Sequence, residues 1–363
     1  MQNVFILGAG KIGSLIAFLL ANSNDYHAYL GDINFDNRPD LDRVLAKTPN
    51  LTKVKISAEN TAELRDFLQK NGMQAIVSCL PYYFNIEVAK LAKEFNLHYF
   101  DLTEDTHTTS AILEIAQQAK SAFVPQCGLA PGFISIVAND IMQNFPKLDT
   151  VKMRVGALPV NISNSLQYSL TWSTDGLINE YGNVCNAIEN GVEVERLPLE
   201  DLEEIKIDGL TYEAFNTSGG IGSLATSFDG KVNHMSYKTI RYPGHCEKMR
   251  FLMNDLHLNQ DRDTLKKILE KVIPKTEQDV VLVYVSVTGT KDNLFSEQNY
   301  FKKFYPKTIN GFNWSAIQLT TASGLCSVLD MVLSDPIKFQ GHIRQEQFSL
   351  AQLTANRFGK YYS

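Results

Sequence analysis

Val4-Phe5-Ile6-Leu7-Gly8-Ala9-Gly10-Lys11-Ile12-Gly13 decides the fold. Four apolar residues closed by a glycine read as a strand buried on both faces. Ile12, Leu15, Ile16, Leu19 and Leu20 then recur at i, i+3, i+4, i+7 and i+8, one stripe of a helix. Between strand and helix stands the G-x-G-x-x-G spacing. Gly8 permits the tight turn, Gly10 lets a pyrophosphate approach the backbone, and Gly13 lets helix and strand pack closely. Alone the hexamer is a weak sign, because glycine-rich turns are common. Ending a strand and opening a helix, it marks Gly8, Ala9, Gly10, Lys11, Ile12 and Gly13 as a dinucleotide loop.

Working outward, a second strand fits Ala28-Tyr29-Leu30 and ends at Gly31-Asp32, 22 residues beyond Gly10. A carboxylate there accepts hydrogen bonds from a ribose 2′-hydroxyl and repels a 2′-phosphate. Ile33 follows it, and the next basic residue is Arg38. NAD is therefore expected in preference to NADP. The cycle recurs with strands near 54–56, 75–77, 99–100 and 122–124, and helices near 61–69, 84–95 and 112–119. This alternation with short connections predicts a Rossmann-type, doubly wound parallel sheet over residues 1–130.

Beyond it, Pro131 takes a first helical position ahead of Ile134, Val137, Ala138, Ile141, Met142 and Phe145. Val151, Met153, Val155 and Ala157 alternate with Lys152, Arg154 and Gly156, predicting a strand with one wet face. Further strands are expected at 280–287 and 300–305, with helices near 246–256 and 264–272 between. The expectation for 131–312 is an inserted α+β domain on a mixed sheet. Ser315 to Gln318 has capping-box spacing, and a long helix follows. Its small residues Ala316, Ala322, Ser323 and Gly324 would let another element approach closely. Residues 313–363 are expected to pack back on the first domain.

A chain of 363 residues suits two or three domains at about 150 residues each. With 34 basic and 40 acidic residues the net charge is −6, so no basic surface for nucleic acid is implied. The five cysteines, Cys79, Cys127, Cys185, Cys246 and Cys326, form no Cys-x-x-Cys pair. No zinc ribbon or redox pair is available, no metal is expected, and a reducing compartment fits. The first residues lack a basic segment before the apolar run, and no apolar run reaches membrane-span length. A soluble cytoplasmic protein is expected.

In a doubly wound sheet, ligands lie beyond the carboxyl ends of the strands. Ser78-Cys79-Leu80-Pro81-Tyr82-Tyr83 and Asp101-Leu102-Thr103-Glu104-Asp105 fall there. Cys79 and Leu80 are candidates for cofactor contact, Tyr82 and Glu104 for proton transfer, and Thr103 for substrate. Each also has an ordinary reading, as packing tyrosines or carboxylates at a helix N-terminus. Cys127 reads as a buried apolar residue before a nucleophile. Thr217-Ser218-Gly219-Gly220-Ile221-Gly222 is either an anion-binding loop or a plain one. Arg241 can grip a carboxylate bidentately, and His245 titrates near neutrality. A surface ion pair and a capping histidine are their bland alternatives.

At these residues the chain resembles the saccharopine dehydrogenase-like family. The likeness rests on Gly8-Ala9-Gly10, Leu80 to Asn85, Tyr99 to Thr103, Gly128-Leu129-Ala130-Pro131-Gly132 and Thr171-Trp172-Ser173. It continues through Asn216 to Gly220, Tyr237 to His245 and Asn356-Arg357-Phe358-Gly359, and so spans nearly the whole chain. The resemblance implies a homodimer or higher oligomer and NAD-dependent oxidation at a carbon–nitrogen bond of an amino acid. The ε-amine of L-lysine, converted to the semialdehyde, is the leading expectation. A saccharopine-type secondary amine, a carboxynorspermidine-type substrate and a non-catalytic NAD-binding sensor are the alternatives. Arg241, Thr103, Trp172, Ser173, Thr217 and Ser218 are then expected at the substrate, with His245 or Glu104 as the base.

Overall fold

The computed structural model describes residues 1–36 and 39–363, so Arg38 lies outside the described residues. The chain divides into two compact units. Unit 1 is Met1–Gly128 with Gln318–Ser363, and unit 2 is Leu129–Ile317.

Unit 1 alternates β1 (Gln2–Leu7), α1 (Lys11–Ala21), β2 (Tyr26–Asp32), α2 (Pro39–Ala46), β3 (Leu51–Lys55), α3 (Thr61–Asn71) and β4 (Ala75–Ser78). It goes on with α4 (Asn85–Glu94), β5 (His98–Asp101), α5 (Thr106–Ala116) and β6 (Ala122–Val124). The strands pair in parallel in the order β3-β2-β1-β4-β5-β6. The order reverses between β1 and β4, which puts the Gly8–Gly13 loop at the switch point. Central strands are apolar throughout because both faces are covered: Val4 to Leu7 and Ala75 to Val77 are all buried. Edge strand β3 has only exposed and half-buried residues, hence its weak sequence signal. Phe5, Ile76, Tyr99 and Phe123 meet Leu64, Leu68, Val88, Leu91 and Ile112 from α3, α4 and α5 in one core. Each such aliphatic side chain contributes about 1.5–3 kcal/mol by burial.

In unit 2, α6 (Phe133–Met142) leads to β7 (Lys147–Pro159), α7 (Thr174–Gly182), β8 (Cys185–Glu189), β9 (Val192–Arg196), β10 (Glu203–Ile207) and β11 (Leu210–Asn216). Next come α8 (Leu224–Phe228), β12 (His234–Arg241), α9 (His245–Arg250), α10 (Arg262–Val272), β13 (Asp279–Lys291), β14 (Leu294–Phe304) and the hairpin β15 (Lys307–Ile309) and β16 (Phe312–Trp314). The main sheet runs β10-β11-β12-β7-β13-β14, with the β8–β9 hairpin attached to β12. It is mixed, since β7 and β12 are parallel and their other neighbours antiparallel.

Two expectations for this unit are corrected. Pro131 is not a first helical residue: α6 starts at Phe133, and its N-cap Gly132 has φ of +129°, a conformation closed to other residues without strain. The second face of β7 is wet only in part, with Lys152 exposed but Arg154 and Gly156 buried. Arg154 is only 2% exposed, because Glu203 of β10 takes its Nε at 2.5 Å and Ser236 of β12 takes Nη1 through its carbonyl at 2.9 Å.

The chain returns through α11 (Ala316–Ser334), followed by β17 (Gly341–His342) and α12 (Leu350–Ala355). The first amides of α11, those of Ala316 and Ile317, donate to the buried carboxylate of Asp279 at 2.6 and 3.0 Å. Gln318, the far end of the expected capping box, extends its amide to the Lys11 carbonyl at 3.0 Å. Gly324 allows the close approach expected of small residues, since a Cβ there would stand 2.8 Å from the Gly128 carbonyl oxygen. By length and composition α11 resembles a membrane span, but it is packed inside the protein as a core helix. β17 joins β6 as a seventh parallel strand.

Candidate active site

The dinucleotide loop of unit 1 is defined by what it leaves open. At Gly8, with φ of +100°, a Cβ would meet the Cys79 carbonyl oxygen at 2.8 Å, and at Gly13 one would meet the Gly8 carbonyl oxygen at 1.9 Å. At Gly10 a Cβ would meet nothing within 4 Å. Backbone crowds the loop from behind and open space lies ahead of it, as a pyrophosphate needs. The Ser14 amide donates to the Gly10 carbonyl and its hydroxyl to that of Ala9, which fixes the entry into α1.

Asp32 stands at the end of β2 and is tied to the same loop. Its Oδ2 accepts the Ala9 amide at 2.7 Å, and its Oδ1 accepts the Asn34 amide at 3.0 Å. Lys55, exposed at the end of β3, is its register partner. The register of β2 and β3 thus sets a basic residue on the strand next to Asp32, which spacing along the chain could not reveal. Ile33 is 64% exposed, while Leu80 is half-buried against the core.

After β4, Tyr82 and Tyr83 form a 3-10 turn with their rings in edge contact. Tyr82 is half-buried. After β5, the buried Asp101 organises its surroundings: it accepts the Tyr99 hydroxyl at 2.7 Å and the Thr103 and Gln126 amides at 3.0 Å each. Burial outweighs these bonds and pushes its pKa up to about 6. The Thr103 hydroxyl receives the Asp105 amide, and Asp105 caps α5 through the Thr108 amide at 2.7 Å. The helix-terminus reading is thus the right one for Asp105. Glu104 is buried between them. Burial raises the thiols of Cys79 and Cys127 well above their ordinary value, so neither is a ready nucleophile.

Unit 2 holds a buried cation. Arg241, 3% exposed at the end of β12, donates from Nε to the Tyr181 hydroxyl at 2.8 Å and from Nη1 to the Ile240 carbonyl at 2.8 Å. The rings of Tyr168 and Tyr181 lie 5.3 and 5.8 Å from its guanidinium carbon. Among the described residues no carboxylate comes within ion-pair distance of it. Glu180 acts on it electrostatically without a direct ion pair, and its own hydrogen bonds go to neutral oxygens, a costly setting for a buried charge.

The surrounding candidates divide. Trp172 donates its indole N–H to Tyr168 at 3.1 Å, within reach of this cluster. The Thr217 hydroxyl is buried without a partner in unit 2. Ser173 is exposed, and its hydroxyl caps α7 through the Gly176 amide at 3.2 Å. Ser218 is occupied as well, its amide on the Glu180 carbonyl and its hydroxyl on that of Asn179. That use of its amide weakens the anion-loop reading of 217–222.

His245 is fully buried, with Nδ1 2.8 Å from the Leu166 carbonyl and Nε2 3.1 Å from the Tyr181 hydroxyl. Burial, with Arg241 nearby, lowers its pKa to about 3, so it stays neutral at physiological pH. It does not titrate near neutrality as expected, nor does it cap α9. Glu213 does that, accepting the Gly244 and Cys246 amides at 2.7 and 2.6 Å. Tyr168, Tyr181 and Glu213 escaped the sequence reading. An aromatic or acidic residue in a strand or helix carries no mark of which partner it will meet.

A glycine loop at a topological switch point, a carboxylate bracing it and a buried cation in a second unit define a dinucleotide-dependent enzyme. A family model described as saccharopine dehydrogenase NADP binding domain matches residues 4–124. A second, described as saccharopine dehydrogenase C-terminal domain, matches residues 128–358. The chain belongs to the saccharopine dehydrogenase family and is an NAD(P)-dependent amino-acid dehydrogenase. Among solved structures it is similar to apo histidine-tagged saccharopine dehydrogenase (L-Glu forming) from Saccharomyces cerevisiae. There 15% of residues are identical, 97% of this chain and 95% of that chain are covered, and the TM-score is 0.75. An engineered D-amino acid dehydrogenase bound to NADP+ matches 99% of this chain and 98% of its own length, at 11% identity and a TM-score of 0.50. At these identities the likeness is one of fold.

Proposed function

We propose that the protein prefers NAD and removes the ε-amine of L-lysine oxidatively, the reaction of a lysine 6-dehydrogenase. The observation that carries this reading is Arg241, a buried guanidinium with no carboxylate partner among the described residues. An amino acid brings one α-carboxylate to it, and the planar fork takes that group bidentately. Arg154, the other buried arginine of unit 2, is already held by Glu203. Among the described residues of unit 2, one buried guanidinium outside an ion pair favours a substrate with one carboxylate over a saccharopine-type substrate, which carries more.

The bound nicotinamide supplies a hydride acceptor. The chain's own part is to hold the carboxylate at Arg241 and to take the ammonium proton, because only the neutral amine releases hydride. Glu104 is assigned that proton, with Tyr82 on the neighbouring strand-end loop. Carbon loses hydride, the carbon–nitrogen double bond forms, and water then adds to release ammonia and the semialdehyde. NAD is favoured by the bracing carboxylate of Asp32.

The same proposal includes a homodimer. Leu294, Phe295 and Phe301 on terminal strand β14 are the exposed apolar surface it would cover. A reducing, cytoplasmic setting suits five free cysteines. The test is absorbance of the reduced cofactor with L-lysine, saccharopine, a carboxynorspermidine-type amine and α-amino acids, each with NAD and NADP. Turnover of saccharopine alone would sink the lysine reading. Cofactor binding without turnover of any amine would leave a sensor.

A further inference from the structure

The hydrogen bonds around His245 have only one consistent polarity. The Leu166 carbonyl can only accept, so His245 Nδ1 carries the hydrogen, at 2.8 Å. Nε2 is then bare and accepts the Tyr181 hydroxyl hydrogen at 3.1 Å. The Tyr181 oxygen in turn accepts the Arg241 Nε–H at 2.8 Å. All three side chains are buried, and Phe215 and Tyr168 stack on or tilt against the imidazole at 6.3 and 5.2 Å between centroids.

We infer that Tyr181 and His245 are positioning residues, a chain running Leu166 carbonyl–His245–Tyr181–Arg241 that aims the guanidinium fork at the substrate carboxylate. This rests on the reading of Arg241 as carboxylate anchor. It assigns His245 no proton transfer, because both ring nitrogens are engaged inside the chain. Protonating Nε2 would leave the Tyr181 hydrogen facing another hydrogen. The low pKa of the imidazole agrees with that geometry. Nε and one Nη1 hydrogen of Arg241 are fixed by protein, which leaves the Nη2 edge and the second Nη1 hydrogen for a ligand.

Two variants separate aiming from catalysis. Tyr181→Phe removes one oxygen and breaks the chain at its middle. It should raise KM for the amino acid by about tenfold, with kcat within about threefold and the NAD dissociation constant unchanged. His245→Gln places an amide N–H towards Leu166 and an amide oxygen towards Tyr181, so both parameters should stay within about threefold of wild type. A loss of kcat of about 100-fold or more in His245→Gln is what proton transfer predicts, and it overturns the inference.

A substrate-free arm keeps this apart from the function itself. In protein carrying 15N-labelled histidine and arginine, His245 should show a neutral Nδ1–H ring from about pH 5 to 8, and the Arg241 Nε–H should exchange slowly. Tyr181→Phe should move the His245 Nε2 signal and speed that exchange. A ring that titrates in this range, or carries its hydrogen on Nε2, overturns the chain of bonds. If the spectra behave as expected and wild type oxidises no amino acid, the carboxylate reading has failed rather than the hydrogen-bond chain.

Discussion

Tyr26 donates its hydroxyl hydrogen to Asp330 at 2.7 Å, joining the first residue of β2 to α11 across 304 positions of sequence. The same carboxylate accepts Arg357 Nη2 at 2.5 Å and the Asn356 amide at 2.8 Å. Arg357 reaches on to Asp25 and lies over the rings of Tyr26 and Phe358. The C-terminal Asn-Arg-Phe-Gly segment is thereby pinned to the dinucleotide-binding sheet.

Removing Asp330 should therefore cost far more than removing Asp25. Asp330 is mostly buried and serves three donors, so Asp330→Ala should lower stability by about 2–4 kcal/mol. Asp25 is largely exposed, and Asp25→Ala should cost under about 1 kcal/mol. Urea denaturation of both variants checks this. Equal losses would mean that the network is not what holds the segment.

The proposed preference for NAD rests on Asp32. A repelled 2′-phosphate and a lost ribose contact should together favour NAD by about 2–3 kcal/mol, or about 30- to 150-fold. Lys55, the register partner of Asp32, should oppose part of that, so Lys55→Ala should weaken NADP and leave NAD unchanged. Asp32→Asn should weaken NAD, both by losing the ribose contact and by loosening the Ala9 amide. Titration of each variant with both cofactors decides. Equal affinities in wild type would remove Asp32 from the selective role.

Asp101 makes stability depend on pH. Its native pKa of about 6 lies above the unfolded carboxyl value of about 4, so the native state holds the proton more tightly. This contribution is fully present below about pH 4 and disappears as pH rises through about 6, a fall of about 3 kcal/mol. In Asp101→Asn the side-chain oxygen can still accept the Thr103 and Gln126 amides, and the amide group can donate to Tyr99. That variant should lose the fall between about pH 4 and 6 relative to wild type. Parallel pH profiles for the two proteins would show that Asp101 is not perturbed.

The sheet of unit 1 was legible because its signals are local: an apolar run, a glycine turn and a helical stripe within about 20 residues. What stayed hidden depends on partners far along the chain. β17 is two residues long and becomes a strand only by lying beside β6. Arg154 read as a wet residue by alternation, yet Glu203 comes from a strand 49 positions later to cover it. Lys55 could not be set beside Asp32 without the register of β2 and β3. Arg241 was singled out for its chemistry, and the structure buries it against Tyr168 and Tyr181. His245 was misjudged because exposure and hydrogen bonding, not residue type, decide whether an imidazole titrates.

Arg241 itself gives the most direct test of the proposed function. Lysine at this position keeps the positive charge and loses the planar fork, so neither Tyr181 nor a carboxylate can be met as before. Arg241→Lys should raise KM for the amino acid by a factor corresponding to about 1.5–3 kcal/mol, about 10- to 150-fold, with NAD binding unaffected. Glu104→Gln should instead lower kcat by about 10²- to 10⁴-fold at unchanged KM, because it removes the proton acceptor and leaves the anchor intact. Steady-state kinetics on the two variants separate binding from chemistry. If Arg241→Lys lowers kcat and spares KM, the guanidinium acts on the reacting carbon rather than on the carboxylate. If Glu104→Gln turns over normally, the proton leaves by another route.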